Sequence, residues 1–179
     1  MNKTEGSVLE ERHANASVEK GALEGISDSK VVALSIRQPW VNLILNRKKT
    51  IEVRSWSTRH RGTLWLHAAK HVDERLCDSF GFQSRALTRG ALVGRVELYG
   101  CMEFTAASWE ELRSEHLNPG PYEPGRFGWK LRDVVCVEPI PLSGKLGLMK
   151  LTASITEAPN LNAKQRQMKA GGNATKVQG

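Results

Sequence analysis

Hydrophobic and polar positions alternate or cluster along the middle of the chain in stretches of strand and short-helix length. Residues 31–36 form an apolar run of strand length, and residues 50–56 alternate between two faces, which is typical of a half-buried strand. Similar stretches predict further strands at residues 63–69, 91–99, 127–131, 134–137 and 148–151. Pro139 and Pro141 should end strand pairing before the last of these strands.

Helices are predicted at three places between the strands. Pro39 should open the first helix, because a proline in the first turn loses no intrahelical hydrogen bond. Asp73 is a suitable N-cap for the second helix, and Ser108 and Glu111 have the spacing of a capping box that begins the third. About six short strands with two or three short flanking helices predict an α+β, mainly β fold. They suit a small, partly closed barrel better than a doubly wound sheet.

The two ends of the chain differ from this middle part. Residues 1–30 have few large apolar side chains and no sustained period, and residues 152–179 are polar and basic. Segments of this kind do not bury enough apolar surface to fold alone. We therefore predict one domain at residues 31–151, a disordered or partly helical N-terminal tail, and a disordered basic C-terminal tail.

Composition is consistent with one folded domain. The chain has 179 residues, of which 40% are hydrophobic and 25% are charged, as in ordinary globular proteins. No apolar run approaches the roughly 20 residues of a membrane span, and the N-terminus lacks the pattern of a secretory signal. Three widely spaced cysteines predict neither a disulfide framework nor a zinc knuckle. We expect a cytoplasmic monomer that uses no membrane, cofactor or metal.

Positive charge is concentrated in one part of the chain. The formal net charge is +7, and residues 37–70 contain eight basic residues against a single acidic residue, Glu52. A local basic excess of this size indicates a polyanionic partner. The alternative is a basic solvated face with no dedicated ligand.

The predicted strand at residues 50–56 carries a polar row on one face, because residues two apart share a face. The row consists of Thr50, Glu52, Arg54 and Trp56. A guanidinium can bind phosphate, a carboxylate can accept from a base amino group, and an indole can stack on a base. The row therefore suits a nucleotide. Alternatively, Glu52 and Arg54 pair with each other and only stabilise the fold.

Three motifs stand out in this region, namely SIRQPW at residues 35–40, KTIEVRSW at 49–56 and RGTLWLHAAK at 61–70. Together they closely resemble the ASCH domain, the activating signal cointegrator homology domain of the PUA-like superfamily. FGWKL at residues 127–131 and PIPLSGKLGL at 139–148 are similar to the last strands of that family. The resemblance implies a small PUA-like β-barrel with flanking helices and a cleft beside the first helix. It also implies a function related to nucleic acids, most often RNA binding.

The central family motif is Gly-x-Lys-x-x-Glu-x-Arg. Lys49, Glu52 and Arg54 match it, whereas Arg47 stands at the glycine position. Glycine there would permit a positive φ or a close ligand approach. Arg47 therefore departs from the expected turn and adds a positive charge beside the cleft.

The predicted function is binding of RNA, or of single-stranded nucleic acid generally, in this basic cleft. The predicted binding residues are Arg37, Trp40, Lys49, Glu52, Arg54, Trp56 and Lys70, with Arg59 and Arg61 at the rim on phosphates. Trp129 is a further candidate to line the cleft, whereas Trp65 and Trp109 should pack inside the protein. His67 and His71 do not share a helix face, so a metal is not predicted. His67 is expected to be a satisfied interior or cleft histidine.

Two other functions stay open. The first is an enzyme, either a ribonuclease, metal-independent or metal-assisted, or an amidohydrolase acting on acylated cytidine. Lys49 and Glu52 would then be catalytic, and Lys49 would need a strongly lowered pKa. The resemblance places a catalytic threonine of the amidohydrolase branch at Glu52, and its third residue, a glutamate, has Glu111 and Glu115 as candidates. The second is a protein-interaction module in a transcription or translation complex.

Overall fold

The computed structural model describes residues 31–152, so the predictions for the two tails lie outside the described residues. The strands are β1 (Val31–Gln38), β2 (Ile51–Arg54), β3 (Gly62–Val72), β4 (Ala91–Glu103), β5 (Phe127–Pro141) and β6 (Leu148–Leu151). The α-helices are α1 (Trp40–Leu45), α2 (Glu74–Ser79), α3 (Ala106–Glu111) and α4 (Arg113–His116), and a 3₁₀ turn spans Ser84–Ala86. The α+β, mainly β class with about six strands is therefore confirmed. In this part of the chain no helix is both long and apolar enough to cross a membrane.

The six strands form one mixed sheet in the order β2-β5-β4-β3-β1-β6. β1 and β3 run parallel, whereas the other neighbouring pairs are antiparallel. The edge strands β2 and β6 have four residues each and do not pair with each other within the described chain. The predicted barrel is therefore not fully closed. The register shifts in the long strands β4 and β5 bend the sheet without joining its edges.

The prediction that Pro139 and Pro141 end pairing is wrong, because β5 is one long strand that runs through both prolines. Ala91 pairs with Pro141 in the β4–β5 register, and Leu92 pairs with Ile140. β2 covers only the beginning of β5, so within residues 31–152 no strand pairs with that side of β5 at the prolines. Proline is tolerated where no neighbouring strand needs its missing N–H.

Helix capping agrees with the sequence at α2 and differs at α3. Asp73 caps α2 by accepting the N–H of Leu76 at 3.0 Å. The predicted start of α3 at Ser108 is wrong, because Thr105 is the N-cap. Thr105 Oγ1 accepts the N–H of Ser108, and Ser108 Oγ accepts the N–H of Thr105. Serine thus takes the place that Glu or Gln holds in the usual capping box.

The sheet buries apolar side chains on both faces. The larger cluster includes Leu34, Leu66 and Leu98 and is covered by α1 through Val41 and Ile44. A smaller cluster on the other face contains Trp65, and a third beside α3 contains Trp109. Trp65 and Trp109 are buried, as predicted. Each Å² of apolar surface removed from water stabilises the folded state by about 25 cal/mol, so these clusters are the main source of stability.

The end of α1 has the hydrogen bonds of a Schellman motif. The N–H of Lys48 donates to the carbonyl of Leu43 at 2.9 Å, and that of Arg47 donates to the carbonyl of Ile44 at 2.8 Å. Arg47 has a φ of 58°, in the left-handed region that favours glycine. Its guanidinium donates to the carbonyl of Val134 at 3.2 Å. The turn that a glycine would form is therefore retained with arginine.

Replacing Arg47 with glycine is expected to raise the free energy of unfolding by about 0.5–1 kcal/mol, because left-handed backbone is costly for a residue with a Cβ. The gain is partial, since the bond to Val134 is lost. Arg47→Ala is the matched control, because it removes the guanidinium but keeps the strained backbone. Urea unfolding should find the glycine variant about 1 kcal/mol more stable than the alanine variant. Equal stability of the two would contradict the strain at this turn.

Candidate functional site

An open cavity of about 1040 Å³ lies where the start of α1, the edge strand β2 and the end of β3 meet. The end of β1, the start of α2 and the segments at residues 118–120 and 143–147 complete its wall. Six basic side chains and two carboxylates line it, namely Arg37, Lys49, Arg54, Lys70, Arg75, Lys145, Glu52 and Asp73. Arg37, Lys70, Arg75 and Lys145 are solvent-exposed. The mouth of the cavity is therefore positively charged.

Lys49 is buried at the floor of this cavity, with 3% of its surface exposed. Its Nζ donates to the carbonyl of His116 at 2.5 Å and lies 3.7 Å from Oε2 of Glu52. The Nζ also lies 4.8 Å from the centre of the Trp40 ring. Burial lowers the pKa of Lys49, and the nearby carboxylate of Glu52 opposes this shift. Lys49 is thus a fixed, partly desolvated group rather than a mobile surface cation.

Glu52 lies between two cations and is 5% exposed. Its Oε1 is 3.6 Å from the guanidinium of Arg54, and its Oε2 faces Lys49. The ion pair between Glu52 and Arg54, one of the two roles left open by the sequence, is therefore present. A carboxylate has about four lone-pair positions, so these two contacts leave acceptor capacity for a ligand.

Trp40 provides an aromatic surface on the cavity wall. Its indole is half-buried and meets the ring of Phe80 edge-on, with ring centres 5.8 Å apart. The Nζ of Lys49 lies over the ring. The contacts with Phe80 and Lys49 hold the indole in place. Because the ring is already fixed, it can stack on a base with little further loss of side-chain entropy.

His67 is buried in the cavity wall, with 1% of its surface exposed. Its Nε2 lies 2.9 Å from the carbonyl of Leu142, and its Nδ1 lies 2.9 Å from Oγ of Ser35. Because a carbonyl only accepts, Nε2 carries a proton and donates to Leu142, and the hydroxyl of Ser35 is the partner of Nδ1. Both ring nitrogens are thus satisfied, in agreement with the expectation for this residue. Within residues 31–152, no group of three or more His, Cys, Asp or Glu side chains is placed to hold a metal ion.

His116 is a supporting residue that the sequence did not reveal. It is fully buried, its Nε2 bonds the carbonyl of Trp109 at 2.8 Å, and its Nδ1 accepts the N–H of Asn118 at 3.0 Å. Burial lowers the pKa of His116, and the nearby charge of Lys49 lowers it further. The hydrogen bond to the carbonyl of Trp109 acts in the opposite direction and raises the pKa. Asn118 lines the cavity, so His116 joins the floor at Lys49 to this part of the wall. No local pattern could have found a contact across 67 residues.

The structure brings most of the predicted site residues together. Those that line the cavity are Arg37, Trp40, Lys49, Glu52, Arg54 and Lys70. Trp56, Arg59 and Arg61 do not line it. Trp56 packs edge-on against Trp129 with ring centres 4.6 Å apart, and Arg61 donates to nearby backbone carbonyls.

The remaining candidates also lie elsewhere. Trp129 is fully buried and donates from Nε1 to the carbonyl of Trp56 at 3.2 Å, so it does not line the cleft. Glu115 accepts the hydroxyl of Thr50 at 3.0 Å, and neither Glu115 nor Glu111 lines the cavity. The residues that sequence reasoning missed in the wall include Ser35, Arg75, Asn118 and Lys145. The glycines on either side of Lys145 predict a loop, but they do not show that this loop reaches the cavity.

Comparison with known proteins supports one family. The ASCH domain model matches residues 34–144. Human "Activating signal cointegrator 1" is 51% identical over 81 residues, which cover 38% of this chain and 14% of that protein. The mouse protein of the same name is 51% identical over 35 residues, 20% of this chain and 6% of that protein. The chain thus spans a small part of the length of the curated relatives that it matches.

Two solved structures share the fold. The crystal structure of ASCH from Zymomonas mobilis has a TM-score of 0.53 and 17% identity, covering 72% of this chain and 92% of that one. A tyrosine-to-phenylalanine mutant of ZmASCH from the same organism has a TM-score of 0.53 and 16% identity, covering 78% and 97%. At such identity these structures show a common fold and nothing more specific. The family match over most of the described chain is the stronger finding, and this chain belongs to the ASCH domain family.

Proposed function

We propose that this protein binds RNA, with one nucleotide of a single-stranded segment entering the cavity. The observation that carries the proposal is the combination of six cations and two carboxylates around about 1040 Å³ of open space. Such an excess of positive charge favours an RNA strand, because Lys and Arg side chains that neutralise phosphates release bound counterions. The relation of the ASCH family to the PUA-like superfamily, in which RNA binding is common, agrees with this proposal.

Each part of the cavity has a role in this proposal. Arg37, Lys70, Arg75 and Lys145 are exposed at its mouth and contact phosphates. Trp40 stacks on the base, and the free acceptor positions of Glu52 receive hydrogen bonds from base N–H groups. Lys49 is buried, so it holds Glu52 in position instead of contacting the backbone phosphates.

The test compares two triple variants that remove the same charge. The rim variant is Arg37→Gln, Lys70→Gln and Lys145→Gln. The remote variant is Arg85→Gln, Arg95→Gln and Lys150→Gln, three exposed basic residues outside the cavity wall. Filter binding of a labelled single-stranded RNA should show at least about tenfold weaker binding for the rim variant. The remote variant should bind nearly as well as the wild type. Equal losses in both variants would mean that net charge, and not this cavity, attracts RNA.

A second candidate function is hydrolysis, favoured by the position of Lys49, which is buried in the cavity wall with its Nζ 3.7 Å from Glu52. Burial also lowers the pKa of Lys49. In its neutral form Lys49 can accept a proton from an attacking water, as a general base must. The substrates proposed for this role are RNA phosphodiesters and acylated cytidine. The test incubates wild type and Lys49→Arg with each substrate and separates the products. Turnover by the wild type that is lost in Lys49→Arg, with the urea unfolding midpoint of the variant unchanged, would support the enzyme. Intact substrates after incubation with the wild type would rule out hydrolysis of the two substrates tested.

A further inference from the structure

Two large hydrophobic side chains are exposed on the described surface, Tyr99 and Leu146. They differ in their surroundings. Tyr99 lies on β4 away from the cavity, and the guanidinium of Arg132 lies 5.0 Å from its ring centre. Leu146 is fully exposed, at 101%, and stands at the mouth of the cavity between Lys145 and Gly147. Leu146 is thus a solvent-exposed apolar side chain beside the positively charged mouth of the cavity.

The loop that carries Leu146 is anchored to buried side chains by the residues just before it. Before Leu146, Gly144 lies so close to His67 that an added Cβ would be 2.6 Å from the ring carbon Cε1. The same histidine holds the carbonyl of Leu142. The N–H of Lys145 points to the sulfur of buried Met149 at 3.1 Å. Buried groups therefore hold the backbone of the loop in place, whereas the side chain of Leu146 at its tip is exposed to solvent.

We propose that Leu146 is a wedge that contacts the face of the base next to the nucleotide in the cavity and separates the two bases. This inference rests on the proposed RNA binding. Apolar side chains inserted beside a base replace the stacking that is lost when neighbouring bases part. Lys145, one residue away, contacts the phosphate between them. The contact removes the leucine surface from water, which accounts for an exposed apolar tip on an otherwise polar opening.

The experiment uses single-stranded RNA in which 2-aminopurine replaces each base in turn, because its fluorescence rises when stacking is lost. The wild type should raise the fluorescence at one position next to the bound nucleotide. Leu146→Ala should lose most of this rise and weaken binding about three- to tenfold. Leu146→Met should retain both. Tyr99→Ala, which removes the other exposed large hydrophobic side chain, should behave as the wild type. The exposed position of Leu146 makes its variants safe for folding.

The outcomes separate this inference from the function on which it rests. If the wild type binds RNA and Leu146→Ala gives the same fluorescence rise and affinity, the wedge is overturned and RNA binding stands. If the rise falls equally in Tyr99→Ala, the effect is not specific to the loop and the wedge is also overturned. If the wild type does not bind RNA, both proposals fail together.

Discussion

Replacing Lys49 with methionine is expected to lower the free energy of unfolding by about 1–3 kcal/mol, the usual cost of leaving buried acceptors without their donor. The full cost of breaking a buried ion pair is not expected, because methionine also removes the desolvation of the charged ammonium group. Methionine keeps most of the volume of lysine, so the loss comes from the unpaired acceptors rather than from a cavity. The variant leaves the carbonyl of His116 without its donor and leaves Glu52 with Arg54 as its remaining cation. Urea unfolding followed by tryptophan fluorescence measures the change.

A double-mutant cycle distinguishes this coupling from a general disturbance of the core. Glu52→Gln removes the negative partner and keeps the shape of the side chain. If Lys49 and Glu52 stabilise each other, the two substitutions together should cost less than the sum of the single costs, by about 1–3 kcal/mol. Additive costs would show that the 3.7 Å contact contributes nothing to stability.

The pH dependence of stability gives an independent check on Lys49. Its pKa is lower in the folded protein than the ordinary value of 10.5, so unfolding takes up a proton at pH values between the two. Stability from this group should therefore rise as the pH rises through that window. The penalty is present in full below the lowered pKa and is gone above the ordinary one. Lys49→Met should lack this rise.

The sequence could predict the floor of the site because the information there is local. Alternation along β2 and the spacing of the Lys49, Glu52 and Arg54 motif place these residues within one turn and one short strand. The same alternation failed at Trp56, because β2 ends at Arg54 and a period of two no longer applies beyond it. Trp56 instead packs against Trp129 from β5, a neighbour that strand order alone brings close.

Other parts of the cavity wall could not be predicted in this way. His116 and the loop at Leu146 reach the site through contacts that span 67 and 75 residues, between Lys49 and His116 and between His67 and Leu142. Such contacts depend on sheet order, which hydrophobic periodicity does not fix. The left-handed backbone of Arg47 could not be predicted either, because a residue with a Cβ is unfavourable in that conformation. The hydrogen bonds and packing at the end of α1 outweigh this conformational cost.

Burial divides the basic residues of the site into two groups with different roles. Lys49 is buried and held by partners, so it shapes the floor, and its removal should act first on folding. Among residues 31–152, the side chains of the exposed cations at the mouth make no such buried contact, so their removal should act first on binding. Binding experiments that use Lys49→Ala would mix the two effects. The rim variant avoids this difficulty, because its three positions are exposed.

The affinity for single-stranded RNA is expected to fall about 50-fold between roughly 50 and 200 mM salt. The exposed cavity cations are Arg37, Lys70, Arg75 and Lys145. If each of the four neutralises one phosphate, the logarithm of the binding constant falls with the logarithm of salt concentration with a slope of about −2.8, because each contact contributes about −0.7 on single strands. The measurement is a set of filter-binding curves at several salt concentrations.

The slope also counts how many of these contacts the cavity makes. The rim variant retains Arg75, so its slope should be about −0.7 and its affinity should fall only about threefold over the same range. The remote variant, which has the same net charge, should keep the wild-type slope. A remote variant whose slope flattens as much as that of the rim variant would place the phosphates outside the cavity. Such a result would favour the alternative stated above, that the basic residues at 37–70 form a solvated face with no dedicated ligand.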